Sequence, residues 1–129
     1  MEENLKQLLL KDLCARLPYE VKVKFYDHWV DEYEIIPLTA KLLSDTVYIG
    51  DIKPYLFPLS SMTDEQNDSW RDAFLNDLAM SATINYPESE KYLALSHYKS
   101  MEWLYKHHFD VNGLIEKGIA IDATGKNIY

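Results

Sequence analysis

The sequence predicts an α+β domain: an N-terminal helix, a small antiparallel sheet able to curl into a barrel-like shape, and two longer helices. Two observations carry the prediction. Leucines recur at helical spacing up to Pro18, the apolar period then changes to two from Val21, and a helical period returns after Thr63. Between sheet and helices lies DIKPYLFPLSSM (Asp51 to Met62), where Pro54 and Pro58 exclude a helix. Tyr55, Leu56, Phe57 and Leu59 make the same stretch too apolar for a solvated linker, so it reads as an extended, buried strap. The 129 residues suit one domain, 1–129, burying about two-thirds of its unfolded surface.

The first helix is expected over 4–17. Leu5, Leu8, Leu9, Leu13 and Leu17 form its apolar stripe, with Lys6, Lys11, Asp12 and Arg16 off it. Asn4 is the expected cap and Pro18 the stop. The sheet occupies 20–50. Val21, Val23 and Phe25 alternate with Lys22 and Lys24 as a half-buried strand, and Tyr33 to Leu38 gives a second, with Pro37 marking an edge or an end. Trp29 falls in the turn between them. Lys41 to Leu43 and Thr46 to Ile49 read as two further short strands, closed by Gly50-Asp51.

After the strap (51–62), Thr63 and Gln66 form a capping box, followed by a helix over 63–80 with Trp70, Ala73, Phe74 and Leu78 on one face. Ser81 to Pro87 reads as a loop. A second helix is expected over 87–108, with Asn85 or Tyr86 as its cap and Ala94, His97, Tyr98, Met101, Leu104, Tyr105 and His108 sharing a face. Turns at Asn112-Gly113 and Gly118 and a short strand at Ile119 to Ile121 complete 109–129, whose end from Ala123 should be loosely held.

Composition removes several function classes. A formal charge of −8 argues against a duplex nucleic-acid partner and against anionic membrane surfaces. The single cysteine, Cys14, excludes an intramolecular disulfide and reads as a small core residue of the first helix. MEENLKQ has no basic n-region, and Leu8-Leu9-Leu10 is too short to span a bilayer, so a cytoplasmic protein is expected.

No catalytic constellation emerges. Four glycines, none closely spaced, make no phosphate-binding loop, and Ser60-Ser61 lacks a nucleophile elbow, so no cofactor is expected. The carboxylate pairs Glu32/Glu34 and Asp68/Asp72 look solvated rather than tuned for acid–base work. His97, His107, His108 and Asp110 form the densest cluster with ligand chemistry; His97 lies three helical turns from His108, which leaves His107, His108 and Asp110 for metal binding or an enzymatic role. Adjacent histidines diverge on a helix, however, and cations at a C-terminus are stabilised by the dipole alone. The ten tyrosines and three tryptophans suggest an interaction surface instead, with Trp29, Trp103 and Tyr55 as its candidates. Aromatics also stack on single-stranded bases, but no cationic groove assembles from the scattered lysines.

The strings KPYLFPLSSMT (Lys53 to Thr63), LCARLPY (Leu13 to Tyr19) and HFDVNGLIEKG (His108 to Gly118) resemble a family of uncharacterised small proteins of gut Bacteroides-type bacteria. Such proteins are often encoded near phage-like or mobile elements. The resemblance implies no activity, cofactor or catalytic residue. It implies an accessory role: a non-enzymatic protein-interaction protein first, a nucleic-acid-associated accessory protein second.

Overall fold

Helix α1 (Glu3–Arg16) buries the face formed by Leu9, Asp12, Leu13 and Arg16, the i, i+3, i+4, i+7 positions of one helical stripe. The computed structural model describes residues 1–82 and 98–129, with the side chains of 74–82 excepted. Glu2, not Asn4, occupies the N-cap of α1, without a side-chain cap bond, and the chain leaves the helix through a 3₁₀ turn at Leu17–Tyr19 containing Pro18.

Strand β1 (Lys22–Asp27) pairs antiparallel with β2 (Glu32–Pro37) on one side and with β3 (Ile52–Leu56) on the other. A short β4 (Ile121–Asp122) runs parallel to β3, giving the order β2-β1-β3-β4. The predicted α+β class is the observed one. The expected antiparallel, barrel-like meander is corrected to an open, mixed four-stranded sheet.

Three local expectations change with it. Lys41 to Leu43 belongs to a short helix α2 (Ala40–Asp45), because Thr39 caps it by accepting the Leu42 N–H at 3.1 Å. Thr46 to Ile49 forms no strand; a 3₁₀ turn at Ile49–Asp51 follows instead. The first half of the proline strap is β3 itself. Pro54 is tolerated there because the ladder to β1 ends at Pro54 while that to β4 begins at Tyr55.

Register decides what each sheet face carries. Val23 opposes Ile36 and Pro54, and Phe25 opposes Ile52, so these side chains share the inward face with Leu9 and Leu13 of α1. Leu56, Leu114, Ile119 and Ala120 extend the same core. Each fully buried aliphatic side chain contributes about 1.5–3 kcal/mol.

Helix α3 (Asp64–Ala82) starts at the predicted box: Thr63 N–H donates to Gln66 Oε1 at 2.9 Å, and Gln66 N–H to Thr63 Oγ1 at 3.1 Å. The indole N–H of Trp70 donates to Ser100 Oγ at 3.0 Å, docking α3 on helix α4 (98–106). The expected start of the second helix, with Asn85, Tyr86, Ala94 and His97, lies outside the described residues. Tyr98, expected on the packed face, is exposed. Helix α4 ends at 106 in a Schellman motif, with Phe109 N–H bonded to the Leu104 carbonyl at 2.9 Å and His108 N–H to that of Tyr105 at 3.0 Å. His108 takes the left-handed position at φ 66°, where glycine is usual.

The C-terminal segment is tied down rather than loose. Tyr129 Oη accepts the Lys22 N–H at 2.8 Å and donates to the Tyr55 carbonyl at 2.8 Å, while its ring stacks on His108 at 3.9 Å. Among the described residues no helix is long and apolar enough to cross a membrane.

Candidate functional site

The outward face of the sheet and the β1–β2 turn carry the exposed rings of Tyr33 and Trp29. Asp27 opposes Glu32 at the end of the ladder, leaving His28 to Asp31 as the turn. Asp27 Oδ1 accepts the Trp29 N–H at 2.9 Å, and Asp31 takes the left-handed conformation at φ 55°. This geometry lifts Trp29 off the sheet: it is 97% exposed. Val30 beside it, and Val47 and Tyr48 in the segment before β3, are exposed as well.

Below the tip, rings form a chain. Tyr26 meets His28 edge-on at 4.6 Å and Tyr33 at 5.0 Å, and His28 meets Tyr48 at 6.1 Å. His28 Nε2–H donates to Asp51 at 2.7 Å, joining the β1–β2 turn to the start of β3. A groove of about 370 Å³ runs between Trp29, Val47 and Tyr48, with Asp27, Asp45 and Asp51 along it. A second cavity, of about 600 Å³, opens on the sheet face beside Lys24, Tyr26, Tyr33 and Lys53.

The three surface candidates from the sequence separate. Trp29 is on the surface. Trp103 is half-buried, stacked on His107 at 4.0 Å and on Phe109 at 5.9 Å. Tyr55 is 5% exposed and cannot offer a contact surface, because β4 and the Tyr129 anchor cover that end of β3.

The ligand candidates do not converge. Both carboxylate oxygens of Asp110 are taken by backbone donors: Leu114 N–H at 2.8 Å and Ile115 N–H at 3.0 Å. His107 Nδ1–H donates to the Trp103 carbonyl at 2.9 Å, while His108 is turned toward Tyr129. Burial, with the Arg16 and His107 charges nearby, lowers the His108 pKa to about 4. Among the described residues no group of three His, Cys, Asp or Glu side chains could hold a metal ion.

Two further readings are corrected. Cys14 is exposed, not a core thiol. Asp12 and Arg16, expected off the leucine stripe of α1, are both fully buried as an ion pair, with Arg16 Nε 2.5 Å from Asp12 Oδ1. Arg16 also donates to the Phe109 carbonyl at 2.8 Å and lies 4.8 Å from the centre of the Tyr105 ring, and Asn112 donates to Asp12 at 2.9 Å. This network locks α1 to the α4 end and is structural in character.

Sequence reading missed Lys24 with Lys53, and Tyr26 with Tyr33, as neighbours. The alternation of Lys22 and Lys24 was the available signal, but the partner strand of Lys53 is a tertiary fact. No family model, curated protein or solved structure matches this chain.

Proposed function

We propose that this protein is a non-enzymatic binding module that docks a protein partner through the apolar tip of its β1–β2 hairpin. One observation carries the reading: Trp29, at 97% exposure, adjoins Val30 and faces Val47 and Tyr48 across a groove. Leaving a tryptophan and its apolar neighbours in water wastes burial, and such clusters mark interaction surfaces. The groove also carries Asp27, Asp45 and Asp51, and the whole chain bears −8, so the complementary partner surface is an apolar socket rimmed by Lys and Arg. The resemblance at Lys53 to Thr63 favours an accessory role in a phage-like or mobile element, in a cytoplasmic setting.

A photo-crosslinking residue at position 29 tests this directly, with the same residue at the exposed position 117 as control. The expected product is a heterologous adduct formed only from position 29, weakened at high salt, with the crosslink on an apolar, basic-rimmed surface. Adducts only to a second copy of the chain, or equal adducts from both positions, would overturn the reading.

A further inference from the structure

Lys24 and Lys53 are direct antiparallel partners, side by side on the face of the sheet that points away from α1. Like charges directly opposite one another weaken a strand pair. The arrangement stands in a chain with 21 acidic residues and 13 basic ones, where a carboxylate partner would be easy to supply. None is supplied. Lys24 Nζ lies 4.5 Å from the centre of the Tyr33 ring, a cation–π contact, and neither lysine has an ion-pair partner among the described residues. Asp51, the one carboxylate lining the cavity among the described residues, accepts from His28.

Around the two ammonium groups the cavity is aromatic. Tyr26 and Tyr33 are cross-strand partners with ring centres 5.0 Å apart, and Tyr33 is 65% exposed. The cavity's volume of about 600 Å³ falls in the range of small-molecule sites. Two uncompensated cations beside one exposed and one half-buried ring complement a ligand that joins a planar aromatic ring to a compact anion.

We infer that this face binds a mononucleotide, with the base against Tyr26 and Tyr33 and the phosphate between Lys24 and Lys53. Asp51, whose Oδ2 accepts from His28, keeps its other carboxylate oxygen as an acceptor for a ribose hydroxyl or a base amine. A longer nucleic-acid strand fits less well: the seat holds one phosphate, and the remaining surface of a −8 chain repels a polyanion. The site shares His28 and Asp51 with the Trp29 groove, but its assignment rests on Lys24, Lys53, Tyr26 and Tyr33, which that groove does not include, so either assignment can fail without the other.

The experiment is an NMR titration of the intact protein with adenosine 5′-monophosphate, set beside adenosine, inorganic phosphate and a short single-stranded oligoadenylate. Saturable shifts confined to Lys24, Tyr26, Tyr33, Lys53 and their neighbours are expected with the monophosphate, with adenosine and phosphate about tenfold or more weaker. Lys53 is exposed, so Lys53→Met should keep the remaining spectrum intact while weakening binding about tenfold, and Lys53→Arg should retain it. No saturable shift at these residues, or unchanged affinity in Lys53→Met, would overturn the site. Phosphate binding as tightly as the monophosphate would overturn the base contact, and tighter binding of the oligonucleotide would overturn the mononucleotide assignment.

Discussion

Removing the Asp12 carboxylate would leave the Arg16 guanidinium fully buried with only the Phe109 carbonyl and the Tyr105 ring for company. Asp12→Leu should therefore lower the unfolding free energy by about 3–5 kcal/mol, while Asp12→Leu with Arg16→Met should recover much of the loss, as urea titration would show. His108 and Tyr129, stacked at 3.9 Å, make the fold sensitive to pH from both sides. Burial, then Arg16, then His107 hold the His108 pKa down from 6.5 to about 4. The unfolded chain thus binds the extra proton first, and stability present above pH 6.5 is lost as pH falls toward 4. Burial pushes the Tyr129 phenol up from 10 to about 12, so stability also falls as pH rises through that interval. His108→Asn tolerates the left-handed backbone and should abolish the acid-side slope. An imidazole resonance of His108 titrating near 6.5 would contradict this account.

At the scale of elements, local chemistry wrote some starts and stops plainly. Thr63 and Gln66 cap α3 as their spacing requires, so Thr63→Ala should cost about 1 kcal/mol of stability in a denaturant titration. Pro37 ends β2, and the period of two over Val21 to Phe25 gave β1 its inward face. Helix α1 was legible in its period but not in its residue types. Positions 12 and 16 lie on the leucine stripe, and their charges hid a face that their spacing revealed. Residues 41–43 looked strand-like because the half-buried pair Leu42 and Leu43 is too short to show a period, and the Thr39 cap is the local feature that marks a helix. The strap was readable as extended and buried over Ile52 to Leu56 only; Leu59, expected to pack with it, lies exposed in a 3₁₀ turn at Leu59–Ser61. That Ile52 to Leu56 forms β3 depends on pairings with β1 and with β4 (Ile121–Asp122), which no local pattern encodes.

For the whole molecule, the sheet divides labour between its faces. One packs against α1 and supplies the core; the other keeps Lys24, Lys53, Tyr26 and Tyr33 at a cavity and carries Trp29 at its rim. The sequence identified Trp29 as a surface candidate from its place in a turn, where a core role is hard to arrange. It offered no route to the lysine pair, because cross-strand register joins residues 29 positions apart. On the proposed reading, Trp29 serves binding and not folding. The direct measurement takes Trp29→Ser and determines, on the same preparation, its unfolding free energy and its affinity for the partner crosslinked through position 29. An unfolding free energy within about 0.5 kcal/mol of the parent, with affinity reduced tenfold or more, is the predicted result. Unchanged affinity, or a loss of stability large enough to explain the loss of binding, would contradict it.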